Sequence, residues 1–227
     1  MNPSPFPADA PHLLTVVVNY QTPDLLERVV QGFRTFYPGS PLMVVDNGSR
    51  DNSGEVAERL RAESPQQTSV IINKKNLHHG PAMDQALRST QAISVLFLDT
   101  DVEVFKGGFL EQMAEALERF PETYAVGHRI NINRRGFDVP SDEEGFPYIR
   151  PYCMLVKKVL YMDLPPFQRH GAPCLENMRS AGERGLRLVD FPVRDFVRHQ
   201  GRGTASRFGY KLGVRGKVNY VMNKLGR

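Results

Sequence analysis

The chain of 227 residues holds only two cysteines, Cys153 and Cys174. Two are too few for a disulfide framework, and neither stands at the spacing of a thiolate metal site. A stapled secreted scaffold and a sulfur-held metal are therefore excluded, and a reducing cytoplasm is the expected setting. Also missing is any run of the roughly 18 to 20 apolar residues that a bilayer span requires. The opening stretch MNPSPFPADAPH has no basic region followed by an apolar core, and Pro3, Pro5 and Pro7 predict a disordered leader over 1–12 rather than a secretory signal. Internal repeats and low-complexity tracts are absent. The rest has the composition of an ordinary globular protein, 41% hydrophobic and 24% charged, and is long enough for one large domain with a substantial core.

Acidic residues are absent from the last segment. Between Thr204 and Arg227 stand six basic side chains (Arg207, Lys211, Arg215, Lys217, Lys224 and Arg227), so the net charge of +4 belongs to this tail and the body is slightly acidic. A nucleic-acid-binding core would carry its positive charge on the folded body, which excludes nucleic acid as a partner. Val214, Val218, Val221, Met222 and Leu225 share one helical face, although Gly213 and Gly216 weaken the helix. Residues 204–227 are thus expected as a basic amphipathic tail. It either packs on the domain or a partner, or makes peripheral contact with the inner face of an anionic membrane. Nothing in the sequence selects an oligomeric state.

Strand and helix signals alternate through the first half. Leu14–Asn19, Leu42–Asp46 and Thr68–Asn73 read as buried strands, and Asp24–Phe36 (opened by Pro23), Ser53–Ala62, Pro81–Thr90 and Gly107–Phe120 as helices. Strands separated by helices of 10 to 15 residues imply right-handed crossovers and a mainly parallel sheet. Polar residues follow each strand (Asn19-Tyr20, Asp46-Asn47, Asn73-Lys74), at the sheet edge where open α/β folds bind ligands. The second half is less regular. Asn131–Phe146 predicts a mobile loop; Tyr152–Val156 a strand, Lys157–Met162 and Cys174–Arg184 helices, and Leu186–Asp190 an edge strand.

The most informative stretch is the fourth strand, Ile93–Asp101 (ISVLFLDTD). Its apolar run suits a strand covered on both faces, and it ends in two aspartates separated by Thr100. If the extended geometry continues, the Asp99 and Asp101 carboxylates project to one side. Two such carboxylates repel one another and favour a hard cation, Mg²⁺ or Mn²⁺, with room for a diphosphate. The competing reading is a solvated turn.

Four ordered segments, VVVNYQTPDLL, VVDNGSRDNS, NLHHGPAMDQAL and FLDTDVEV, together resemble the family 2 glycosyltransferases with the GT-A fold. The likeness covers residues 13–120 and continues more faintly through GLRLVDFP and RHQGRGT to about 204. It implies a GT-A domain over 13–203, with a nucleotide-sugar half (13–120) and an acceptor half (121–203). It also implies transfer of a sugar from a nucleotide-diphosphate donor, UDP-linked by expectation, to a glycan or lipid-linked acceptor. By this resemblance Val18, Asn19 and Tyr20 line the nucleoside pocket and Asp46 accepts a hydrogen bond from the base. Asp51 shapes the pocket, Lys74 or Asn76 approaches the base or phosphates, His79 touches the phosphates, and Asp84 faces the same pocket. Asp99 and Thr100 belong to the donor site. Asp99, Asp101 and the late His199 are the metal ligands, and Arg198 and Arg202 clamp the diphosphate.

Duller readings stand beside these. Asp46 to Ser49 has the residues of any tight turn, Lys74 and Lys75 suit solvated charges, and His78 and His79 suit a helix start. His199 suits an exposed basic loop. The family's acidic pair, whose aspartate deprotonates the acceptor, aligns with Pro173 and Cys174. Glu176, two residues on, or His170 would then be the base, unless the reaction retains configuration and needs none. Glu176 equally suits a helix N-terminus. Two other function classes compete. A sugar-phosphate nucleotidyltransferase would carry a Gly-rich basic loop where this chain has NYQTPDLL; a non-catalytic nucleotide-sugar-binding protein would lack the base altogether.

Overall fold

A computed structural model describes residues 12–140, 145–168 and 171–200. The expected leader (His12 apart) and tail, together with His170 and Arg202, lie outside the described residues. Four strands and the helices between them open the chain: β1 (Leu13–Asn19), α1 (Pro23–Phe36), β2 (Leu42–Asp46), α2 (Ser53–Glu63), β3 (Thr68–Ile72), α3 (His79–Ser89) and β4 (Ser94–Leu98). They continue into β5 (Val102–Val104), α4 (Phe109–Glu118), β6 (Thr123–Ile132), β7 (Asp138–Val139), β8 (Phe146–Lys157), α5 (Lys158–Tyr161), α6 (Leu175–Glu183), β9 (Arg187–Asp190) and β10 (Val197–His199).

Eight strands form one sheet in the order β3-β2-β1-β4-β8-β6-β7, with β9 also paired to β6. The pairs β3–β2, β2–β1, β1–β4 and β6–β9 are parallel, and β8 is inserted antiparallel between β4 and β6. All five residues of β2 and of β4 are buried, as expected of strands covered on both faces. Successive side chains feed opposite layers. Val17 and Leu96 join a cluster with Leu26, Phe33 and Met113, while Val16 and Phe97 join one with Met83, Tyr161, Phe167 and Met178. Helix α1 shows how the layers attach: Pro23 starts it with a preset φ, and Leu25, Leu26, Val29, Val30 and Phe33 form its buried stripe. None of the described helices is long and apolar enough to cross a membrane.

Two expectations need correction. The aspartates do not continue the β4 strand. The chain turns after Leu98, with the Val102 N–H donating to the Asp99 carbonyl at 3.2 Å, and β5 then leaves the main sheet to pair antiparallel with β10. The carboxylates converge through this turn. Nor do the described residues of the expected mobile loop, 131–140 and 145–146, lack regular structure. Strand β6 runs to Ile132, the Asn133 side chain accepts the N–H groups of Arg135 and Phe137 at 2.9 and 3.2 Å, and Gly136 takes φ +85°. The Arg/Gly-rich composition marks a tight hairpin turn into the two-residue strand β7 at the end of the sheet.

Helix α3 is seated on the later half of the chain. A Cβ at Gly80 in α3 would stand 2.5 Å from the Gln168 carbonyl oxygen, so only glycine permits that approach.

Candidate functional site

The carboxyl ends of β1, β2, β3 and β4 open onto one crevice, whose floor is a network of amides. Parallel pairing sets Asn19 opposite Asp46, and the Asn19 side chain donates to Asp46 Oδ1 at 3.1 Å. Ser49 adds two bonds to the same carboxylate, Oγ to Oδ1 at 2.6 Å and backbone N–H to Oδ2 at 3.2 Å. Both Asp46 and Asn47 are almost fully buried. Asn47 organises the loop after β3: its Nδ2 donates to Asn76 Oδ1 and the His78 carbonyl, and its Oδ1 accepts from Asn73 Nδ2 and the Leu77 N–H. Among the described residues, the non-glycine positions with positive φ are Gln21 (55°) and His78 (70°). Both border this crevice, where such strain commonly persists under surrounding constraint. Gly48 has φ +75°, and a Cβ there would lie 2.2 Å from the Lys75 carbonyl carbon.

Beyond β4 the charged groups gather. His79, the first residue of α3, places Nε2 3.5 Å from Asp99 Oδ1, and His199 places Nε2 3.3 Å from Asp101 Oδ1. The Asp99, Asp101 and His199 side chains are 25%, 10% and 37% exposed. One ligand atom from each lies within 4.8 Å of the others. Burial pushes the Asp99 carboxyl above its ordinary range; the His79 charge lowers it, Asp101 raises it again and His199 lowers it. The hydrogen bond to Asp101 raises the His199 pKa against the opposing effect of burial. Two partly desolvated carboxylates gathered with an imidazole fit a divalent cation, and the oxygen-plus-nitrogen donor set suits Mn²⁺ better than Mg²⁺.

His199 reaches this cluster through long-range pairing. β10 runs antiparallel to β5, setting His199 opposite Val102, and the Gln200 N–H donates to the Asp101 carbonyl at 2.9 Å. Strand alternation turns Arg198 to the other face, 3.6 Å from Glu103 and over the Phe105 ring.

The expected site residues divide accordingly. Asn19, Asp46, Asn76, His79, Asp99, Thr100, Asp101 and His199 are drawn to the crevice, with the Thr100 hydroxyl 3.4 Å from that of Thr22. Val18 and Tyr20 are half-buried at the end of β1, while Lys74 is exposed. Asp51 is exposed and accepts the Ser53 N–H at 3.1 Å, a local contact at the start of α2. Asp84 is held elsewhere, by Arg88 at 2.9 Å and the Tyr161 hydroxyl at 2.5 Å. Glu176, in the first turn of α6, pairs with Arg179 at 2.8 Å and is 36% exposed. Beside it Cys174 is fully buried, its thiol pushed far up in pKa by desolvation.

The sequence reading missed Thr22, Ser49, Gln85, His128 and Tyr152. Thr22, Ser49 and Gln85 lie within the segments that carry the family likeness; His128 and Tyr152 carry no local signal, because they are 24 residues apart. Apart from this crevice, a cleft of about 1740 Å³ opens between the β6–β7 turn, β9 and α6. Arg129, Arg134, Arg187, Glu183 and Asp190 line it, with Phe137 and Leu188 as apolar patches, and it shares no residue with the carboxylate cluster.

Comparison with known proteins gives a consistent result. Residues 15–173 match the family model described as Glycosyl transferase family 2. An undecaprenyl-phosphate 4-deoxy-4-formamido-L-arabinose transferase from Pseudomonas fluorescens is 26% identical over 128 residues, covering 56% of this chain and 35% of the relative. The chain thus matches little more than a third of the length of such curated relatives. Among solved structures, a mannosyltransferase from Pyrobaculum calidifontis in complex with GDP-Man and Mn²⁺ is similar with a TM-score of 0.66 at 18% identity, over 83% of this chain and 57% of that one. Glucosyl-3-phosphoglycerate synthase from Mycobacterium tuberculosis, in complex with Mn²⁺, UDP and glucosyl-3-phosphoglycerate, gives 0.60 at 15% identity, over 88% and 75%. At these identities the structural likeness is one of fold.

Proposed function

The chain belongs to glycosyl transferase family 2 and has the GT-A fold, and from that premise we propose that it transfers a sugar from a nucleotide-diphosphate donor, UDP-linked, to a glycan or lipid-linked acceptor. The observation that carries this reading is the convergence of Asp99, Asp101 and His199 within 4.8 Å at the same edge of the parallel sheet as the buried Asp46. Asp46, oriented by Asn19 and Ser49, takes the nucleoside base; Val18, Tyr20, Lys74 and Asn76 border it. His79 stands at the first turn of α3, where the positive end of the helix dipole and an imidazole suit donor phosphates. Asp99, Asp101 and His199 hold Mn²⁺ or Mg²⁺. When bound, such an ion neutralises the charge that develops on the diphosphate as the anomeric C–O bond breaks.

The acceptor side is built by 121–203. The cleft between β9 and α6 offers planar hydrogen-bonding groups of both signs next to apolar patches, which is chemistry suited to a saccharide. The name of the Pseudomonas relative supports a lipid-linked acceptor, and the basic segment 204–227 supports contact with an anionic membrane surface. Glu176 takes the acceptor proton in this reading, after leaving Arg179. A second reading, a binding protein without transfer activity, is favoured by one observation: the position of the family's acidic pair holds Pro173 and the buried Cys174.

Melting curves with UDP, GDP and UDP-sugars, each with and without Mn²⁺, test the donor site on the wild type and Asp101→Ala. A Mn²⁺-dependent rise with one nucleotide, lost in Asp101→Ala, is expected. No rise with any nucleotide refutes the proposal. Slow release of free sugar from the stabilising donor then separates transferase from binder: hydrolysis is expected, and its complete absence favours the binding protein.

A further inference from the structure

Tyr152 touches the donor cluster from beneath in ways that the proposed reaction leaves unused. It sits on β8 and is 7% exposed. Its carbonyl accepts the Asp99 N–H at 3.0 Å. Its ring packs on the His199 imidazole, with centroids 4.9 Å apart and planes 37° from parallel. Its hydroxyl shares a 3.1 Å hydrogen bond with His128 Nδ1 and is also held by the Arg194 side chain, and the His128 ring meets it edge-on at 5.9 Å. The tyrosine is therefore fixed at three points, one of them against an imidazole that would ligate a cation.

Among the described residues that imidazole has little else to orient it. β10 is three residues long, His199 is its last residue, and its side chain is 37% exposed. The β5–β10 pairing fixes the backbone and leaves χ1 and χ2 to side-chain contacts. Asp101 supplies one contact at 3.3 Å through Nε2, but an Nε2 that ligates a cation has no proton left to donate to it. Packing against Tyr152 survives that exchange. Partners that orient a ligating imidazole commonly govern metal affinity as strongly as the ligands do.

We propose that Tyr152, anchored at its hydroxyl by His128, is a positioning residue that fixes His199 as the nitrogen ligand of the divalent cation and so sets a preference for Mn²⁺ over Mg²⁺. The inference rests on the cation site of the proposed function. Its chemical basis is that imidazole nitrogen favours Mn²⁺, whereas the two carboxylates alone serve either ion.

Titration of the full chain with Mn²⁺, read by the electron paramagnetic resonance signal of free Mn²⁺, gives the Mn²⁺ affinity, and competition with Mg²⁺ gives the selectivity ratio. Tyr152→Leu is expected to weaken Mn²⁺ binding by about tenfold or more and to leave Mg²⁺ within about twofold. His128→Ala, which keeps the tyrosine ring, moves the ratio in the same direction by less, and Tyr152→Phe resembles it. In a His199→Ala background Tyr152→Leu has no further effect, because the two act as one unit. Metal-free melting curves identify variants that fail to fold; if Tyr152→Leu is among them, His128→Ala and Tyr152→Phe carry the test.

Equal losses of Mn²⁺ and Mg²⁺, unchanged Mn²⁺ affinity in folded variants, or a full Tyr152→Leu effect without His199 would each overturn the inference. Failure of the wild type to bind Mn²⁺ would instead remove the cation site itself, and the inference with it.

Discussion

The Asn19 side-chain amide donates to Asp46 Oδ1 across 3.1 Å, joining the last residues of two adjacent parallel strands. Both groups are almost fully buried, so the bond does more than hold strands together. It leaves the carboxylate one orientation, with its other bonds supplied by Ser49.

Asn19→Ala is therefore expected to cost about 1–3 kcal/mol, the usual penalty for stranding a buried polar partner. Asn47→Ala is expected to cost more, since Asn47 makes four bonds to the loop after β3. Urea denaturation measures both. If Asn47→Ala proves the milder change, the network does not organise the loop as described.

Asp99→Asn is expected to raise the melting temperature of the metal-free protein. Burial disfavours the ionised carboxylate, and each kcal/mol recovered corresponds to ~2–4 °C in a domain of this size. The same change is expected to abolish stabilisation by Mn²⁺. Melting curves in EDTA and in excess Mn²⁺ check the two halves separately, and a lower metal-free melting temperature would contradict the first.

Two histidines give metal-free stability opposite pH dependences. The folded pKa of His199 lies above the ordinary 6.5, so its stabilisation is complete below that value and is lost as pH rises through the folded pKa. Burial first, then Arg194 and Arg150, lower the folded pKa of His128, while Asp190 and Asp138 oppose them. Its penalty therefore appears as pH falls below 6.5. Melting temperatures between about pH 5.5 and 8.5 are expected to show the disadvantage of His199→Gln shrinking as pH rises. His128→Asn is expected to gain on the wild type as pH falls. Parallel profiles for the two variants would be inconsistent with these environments.

Gly48→Ala is expected to destabilise by ~2 kcal/mol or more, combining a left-handed backbone with a Cβ 2.2 Å from Lys75. Gly182→Ala, inside α6 with nothing within 4 Å of its Cβ, is expected to stabilise by about 0.5–1 kcal/mol. Denaturant midpoints decide both signs.

The parallel half of the fold was legible because β1, β2 and β4 are covered on both faces, which leaves uninterrupted apolar runs in the sequence. β6 was not. Its far end, His128 to Asn131, is exposed or half-buried and mixes polar residues with Ile130, so no apolar run marks it as a strand. The site was legible where one strand end supplies two groups, as with Asp99 and Asp101. Family likeness rather than pattern suggested His199, since a three-residue strand has no measurable periodicity. Tyr152 and His128 gave no signal at all, because only the antiparallel insertion of β8 beside β4 brings them under the cluster.

The contact of Gly80 with Gln168 also limits how the molecule can move. α3 carries His79 at its first turn, and it rests directly on the backbone that leads to α6, with no side chain between them to act as a spacer. The layer of Met83, Phe97, Phe167 and Met178 continues across the same boundary. A clamshell hinge between the two halves would have to shear close-packed backbone and core together. The sheet edge is thus preformed, and the described body is expected to melt in one cooperative transition.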